Sequence, residues 1–232
     1  MPTEISRSKI DLYLECNRCF YLYAKHRVRR PGGFPFTLNN AVDLLLKKEF
    51  DHYRGLGQPH PLMTAAGIDA IPAQNVQMDR WRHNFTGVSY NDAVRDFRVF
   101  GAIDDLWLGK DGQHLVVDYK ATAKAAPVVA LDQEWHAGYK RQMEVYQWLL
   151  RQNGLDVSDT AYFVYCTGDN TKAAFDAHLD FTINVIPYHG DASWVDGVLD
   201  EIKACLDRTA TPDPSESCDY CNYREKVGEY LE

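Results

Sequence analysis

No uninterrupted apolar run in the 232-residue chain reaches the roughly 20 residues that a membrane-spanning helix needs, which argues against a membrane partner. The opening MPTEISRSKI lacks the apolar stretch of a secretory signal, so a cytoplasmic location is expected. The chain also lacks the low apolar content of a disordered segment: 45% of it is apolar and 25% charged. Neither an internal repeat nor a clear linker divides it, so one domain over residues 1–232 is expected. Positive charge is in short supply. The formal net charge is −8, which taken alone disfavours a nucleic-acid partner. That shortage is uneven, because Arg7 to Arg30 carries seven Lys/Arg against only Asp11 and Glu15. This basic stretch reads either as a solvated helix face or as a contact for phosphates. Cysteine is scarce too. In a reducing compartment its six copies read as metal ligands or buried thiols rather than disulfides.

Aromatic residues are plentiful, with 14 Tyr, 10 Phe and 5 Trp, so a sizeable core is available. SRSKIDLYLECNRCFYLYAKHRV has apolar residues near helical spacing, with Ser6 or Ser8 able to cap its start. RRPGGFPF breaks that helix through Pro31, Gly32, Gly33 and Pro35. A second helix follows in TLNNAVDLLLKKEFDHYRGLG, with Thr37 or Asn39 as cap and Gly55 or Gly57 as stop. Residues 58–85 show no clear period. Strands are expected at 100–108 and 114–122, joined by the Asp-Gly turn in KDGQ. A helix over 134–155, strands at 159–168 and 178–188, and a helix over 191–209 complete the pattern. A Pro- and Ser-bearing tail ends the chain. The order implies an α/β fold: a small mixed central sheet flanked by helices.

Charged residues interrupt the two central strands. Asp104 stands in GAIDDLW, and Asp118 and Lys120 stand in LVVDYKA. Strand side chains alternate, so Asp118 and Lys120 face one way and Tyr119 the other. The hairpin is expected to bring Asp104 beside them. Buried carboxylates without a charge partner are costly. One solution is a salt bridge with Lys120 on a sheet edge. The other is a hard divalent cation, Mg²⁺ or Mn²⁺, held by Asp104, Asp118 and the carbonyl of Tyr119. Such a centre suits phosphodiester hydrolysis, with Lys120 orienting water or stabilising developing charge.

GAIDDLWLGKDGQHLVVDYKAT resembles the core motif of the PD-(D/E)XK nuclease superfamily, in its RecB-like and Cas4-like branch. QMEVY (142–146) resembles that branch's Gln-x-x-x-Tyr motif on the following helix. The resemblance implies a restriction-endonuclease-like core and a metal-dependent nuclease acting on DNA, at ends or on single strands. It implies that Gln142 helps hold the active site and that Tyr146 lines the DNA path, with Tyr139 on the same helical face. It further implies an acidic ligand on an early helix. Asp43 is the choice, because it interrupts an apolar run, and Glu49 is the alternative. A catalytically silent nucleic-acid-binding or complex-assembly module of the same fold is the competing reading; a redox protein is a third. Protein partners are not indicated.

Cys16-x-x-Cys19 and Cys218-x-x-Cys221 offer four thiolates from the two ends of the chain, a set that suits Zn²⁺ or an iron–sulfur cluster. The resemblance favours a [4Fe–4S] cluster over Zn²⁺. The arrangement departs from the branch's one-plus-three pattern, since Val227 stands where a third tail cysteine is expected. On either metal the centre would join the N- and C-terminal segments. Cys166 and Cys205 read as packing residues.

Overall fold

A computed structural model describes residues 2–33 and 37–231. The chain runs through β1 (Thr3–Ser6), α1 (Arg7–Glu15), α2 (Asn17–His26), α3 (Thr37–Leu56), α4 (Pro61–Ala65), β2 (Ala70–Pro72), α5 (Met78–Trp81), β3 (Val88–Asp92) and β4 (Phe97–Gly101). It continues through β5 (Asp105–Gly109), β6 (His114–Lys124), α6 (Ala137–Gln152), β7 (Thr160–Asp169), β8 (Phe181–His189), α7 (Trp194–Asp207) and α8 (Asp219–Gly228). Two compact units result. One comprises Pro35–Tyr90 and Gly101–Ala192; the other comprises Met1–Phe34, Asn91–Phe100 and Ser193–Glu232.

The first unit is built on a mixed five-stranded sheet in the order β2-β5-β6-β7-β8. β6 and β7 are parallel, linked through α6, and the remaining pairs are antiparallel. The expected α/β layering is therefore present. The turn between β5 and β6 is the one KDGQ calls for. Gly112 adopts φ +85°, and the Asp111 carboxylate accepts the Gln113 N–H at 3.0 Å. α3 stops at Gly57, which takes φ +64°, a conformation open to glycine at little steric cost.

α3 covers one face of the sheet. Its Phe50 is fully buried and stacks on Trp107 of β5 at 5.5 Å and on His60 at 4.1 Å. Leu46, Val117, Tyr119, Val164 and Cys166 complete this core. Cys166 is thus a packing residue, and burial pushes its thiol up to about 11. α6 meets the opposite face of β6. From Met143 to Leu150 every one of its residues is buried.

The second unit holds β1 parallel to β4, with α1, α2 and α7 packed together. Ser6 caps α1, its hydroxyl accepting the Lys9 N–H at 3.3 Å. The first expected helix is in fact two. Cys16 is extended (φ −162°, ψ 110°), ends α1 and begins α2. The tail contains a helix, α8, that composition alone did not reveal. The expected strand 100–108 is likewise two: β4 ends at Gly101 and β5 starts at Asp105. Residues 58–85 supply α4, α5 and the edge strand β2. Pro35 lies outside the described residues. Asn39 donates its amide to the Ala121 carbonyl at 2.8 Å rather than capping α3. Among the described residues, no helix is long and apolar enough to cross a membrane.

Phe50→Ala removes the aromatic that joins α3 to the sheet. It is expected to lower unfolding free energy by about 3–5 kcal/mol, measured by urea denaturation of the intact chain.

Candidate active site and cysteine centre

β6 is the middle strand of its sheet, and Asp118 lies on it with no solvent exposure. Alternation turns Tyr119 toward α3, where its ring lies 5.6 Å from that of Phe50. Asp118 and Lys120 point the other way, toward α6. The Lys120 ammonium pairs with Asp118 Oδ2. Gln142 Nε2 donates to Asp118 Oδ1 at 2.7 Å, while Lys120 Nζ donates to Gln142 Oε1 at 3.4 Å. The amide thus turns its donor to the carboxylate and its acceptor to the ammonium. Asp118 Oδ2 is shut off from solvent and has no aligned hydrogen bond, only the ion pair.

Asp104 does not lie within a strand, contrary to expectation. It occupies the bend between β4 and β5, where Arg82 Nε donates to its carbonyl at 2.8 Å. The bend frees its side chain, and Oδ2 accepts the Tyr119 N–H of β6 at 3.0 Å. Its other oxygen accepts from Lys47 Nζ at 2.9 Å. Lys47 also donates to Asp43 at 2.8 Å, so one ammonium holds both carboxylates. Asp43, Lys47, Arg82, Asp104, Lys120 and Tyr139 line a common cleft of about 470 Å³. The Lys120 ammonium lies 4.4 Å from the centre of the Tyr139 ring.

The two central carboxyls are driven apart in acidity. Burial pushes Asp118 up to about 7, against the pull of Lys120, and the Asp104 carboxylate adds to the rise. Burial also acts to raise Asp104, but the Lys47 and Lys120 ammoniums and the Tyr119 N–H outweigh it and hold that carboxyl below its ordinary value. Burial and the Asp104 charge raise Asp43. Divergent proton affinity in neighbouring carboxyls is a recurrent feature of acid–base and metal sites.

Asp105, the second Asp of GAIDD, serves the interior. It is fully buried, accepts the Tyr119 hydroxyl at 2.6 Å, and pairs with Arg54 and, at 3.4 Å, Arg82. Arg82 extends the network to Asp51 at 2.7 Å.

Tyr146 departs from expectation. It is 3% exposed, and its hydroxyl accepts from Gln142 Nε2 at 3.1 Å, so it stands behind Gln142 and does not line the cleft. Tyr139 is the helix aromatic that reaches the opening. Glu49, the alternative to Asp43, pairs with His60 at 2.9 Å, away from the cleft. Lys47 and Arg82 went unnoticed in the sequence. Lys47 had a signal, its i+4 spacing from Asp43 on one helix. Arg82 lies in a stretch with no readable period.

The four motif cysteines converge in the second unit. Their sulfurs all lie within 4.8 Å of one another, the one such group of three or more ligand side chains among the described residues. Sγ separations are 3.8 Å for Cys16–Cys221, 3.6 Å for Cys19–Cys218 and 3.7 Å for Cys19–Cys221. All four are buried. Cys16 and Cys218 are the N-caps of α2 and α8, so each Cys-x-x-Cys pair straddles a helix start. Sulfur ligands at this spacing can hold a metal ion.

A family model described as the PD-(D/E)XK nuclease superfamily matches residues 37–225. The chain belongs to that superfamily. Its members are generally nucleases that act on nucleic acid and typically use divalent metals. The carboxylate cleft and the Asp118-x-Lys120 pair fall inside the matched region. Among solved structures, the crystal structure of SSO0001 is similar at 14% identity, covering 99% of this chain and 88% of that one, with a TM-score of 0.47. No curated protein matches the chain.

Asp105→Ala would leave Arg54, Arg82 and the Tyr119 hydroxyl without their shared acceptor. The expected loss is about 3–5 kcal/mol of stability, read from denaturant midpoints.

Proposed function

We propose that this protein is a Mg²⁺- or Mn²⁺-dependent deoxyribonuclease that hydrolyses phosphodiester bonds, working at ends or on single strands. The observation that most supports this reading is the buried Asp118, held between Lys120 and Gln142 with Asp104 beside it. The donor set fits a hard cation. It consists of carboxylate oxygens, and one of them, Asp118 Oδ2, is buried with no aligned hydrogen bond, only the Lys120 ion pair. Asp104 and Asp118 would hold the ion, with the Tyr119 carbonyl and Asp43 as further oxygen donors. A divalent cation there supplies Lewis acidity toward the phosphoryl oxygen and lowers the pKa of a coordinated water.

The chain's own side chains do the rest. Gln142 keeps the Asp118 carboxylate in one orientation, and Tyr146 fixes the Gln142 amide from behind. Lys120 carries its charge into the cleft and stabilises the negative charge that develops on phosphorus oxygens. Lys47 and Arg82 add positive charge at the same opening. Each is matched by carboxylates, Lys47 by Asp43 and Asp104 and Arg82 by Asp51 and Asp105, so approach of a polyanion relies on the charge of the bound cation. Beside them Trp135, 50% exposed, meets Tyr139 edge-on at 5.6 Å, and the Lys124 ammonium lies 5.2 Å from the Trp135 ring centre. Aromatic faces flanked by lysines suit stacking of unpaired bases, which favours single-stranded DNA.

Asp118→Ala and Lys120→Ala are each expected to reduce cleavage of single-stranded DNA by about a hundredfold or more, with Mg²⁺ or Mn²⁺ present. Chelation should abolish the activity of the unaltered protein. Full activity in both variants refutes the assignment. DNA binding with no cleavage under any divalent metal would instead make the chain a binding or assembly module.

The proton affinity of Asp118 sets a pH dependence. Its folded value, near 7, stands above the ordinary value of 3.8. A carboxyl raised in this way costs no stability below the unfolded value. The cost grows as pH rises toward the folded value and is complete above it. A cation that requires the carboxylate relieves that cost and competes with the proton. Its apparent affinity should therefore weaken by about tenfold per pH unit below 7 and level off above. Mg²⁺-induced shifts in melting temperature between pH 5.5 and 8 measure this, and Asp118→Asn should flatten the profile.

A further inference from the structure

The sulfur spacing in the second unit distinguishes a single ion from a cluster. Four thiolates around one tetrahedral ion, with metal–sulfur bonds of about 2.3 Å, stand about 3.8 Å apart. The observed separations are 3.6, 3.7 and 3.8 Å, and no pair exceeds 4.8 Å. In a cubane each thiolate has its own iron and points away from the cube's centre. The distance between two thiolates is then the single-ion value plus the iron–iron distance, which carries every pair past the observed limit. A two-iron core fails in the same way, because thiolates on different irons are spread by the iron–iron vector.

We propose that Cys16, Cys19, Cys218 and Cys221 hold one Zn²⁺ in a closed tetrathiolate site, in place of the [4Fe–4S] cluster that resemblance favoured. Both halves of the ligand set have one local geometry, a Cys-x-x-Cys pair spanning the first turn of a helix. Four thiolates and a dication retain net negative charge, and two groups answer it. The Arg30 guanidinium donates to Cys218 Sγ at 3.5 Å, and the Ser215 N–H donates to Cys16 Sγ at 3.5 Å. Zinc stands above ferrous iron in affinity for such a site. All four ligands are protein side chains and none is more than 8% exposed, so the ion has no open position for substrate. Its role is structural: it ties α2 to α8 across 199 residues of chain. Zn²⁺ has no redox chemistry of its own, so the centre should carry no electrons.

The inference does not depend on the catalytic reading, and its test reads metal rather than cleavage. The full chain is purified anaerobically and analysed for zinc, iron and acid-labile sulfide, with a visible spectrum. The expected result is about one zinc per chain, no iron, and no sulfide-to-iron absorption. Replacement by Co²⁺ should give the intense ligand-field bands of a tetrahedral thiolate site. Cys218→Ser should lose stoichiometric zinc. About four irons with matching sulfide overturn the proposal, as does a single iron without sulfide. A folded, metal-free chain whose four thiols all react with a thiol reagent overturns it equally.

Discussion

A carboxylate buried on the central strand of a sheet is the constraint around which the first unit is organised. Asp118 has no access to water, and an isolated charge there would be prohibitive. Compensation comes from two places. Lys120 stands two residues along the same strand, on the same face, and Gln142 reaches over from α6. Each requirement propagates outward. Gln142 must be oriented, and Tyr146 behind it does so. Lys120 must reach both Asp118 and the opening, and the Tyr139 ring holds it there. The alternate face of β6 carries Tyr119 into the Phe50–Trp107 core, so the strand that bears the site also anchors α3.

The adjacent pair Asp104-Asp105 divides labour between chemistry and structure. Asp104, in a bend, accepts from a backbone N–H of β6 and from Lys47 at the cleft. Asp105, one residue on, begins β5 and receives two arginines and a tyrosine hydroxyl in the interior. One carboxylate keeps a face toward the cleft; the other is wholly consumed by its partners. The two candidate centres also separate by ligand softness. The oxygen set in one unit suits a hard cation, and the sulfur set in the other suits a thiophilic metal.

Much of this was legible in sequence because local rules governed it. Strand alternation paired Asp118 with Lys120, the Asp-Gly turn joined β5 to β6, and helical spacing put Gln142 and Tyr139 on one face. Other features depended on partners distant in sequence. The break at Asp104 owes its stability to Arg82 and Tyr119, neither of which is a neighbour in sequence. Tyr146 looked suited to a DNA path, but the packing of α6 from Met143 to Leu150 buries it. The helix break at Cys16 has no proline or glycine to announce it.

The sequence by itself determined the layer class, the superfamily and the residue types available for chemistry, since these rest on periodicity and on motifs only a few residues long. Tertiary structure alone decided which carboxylate faces the cleft, that Lys47 bridges Asp43 and Asp104, and how far apart the four sulfurs stand. Those are matters of distance between segments remote in the chain. Spacing along a sequence carries no information about them until the layers have packed.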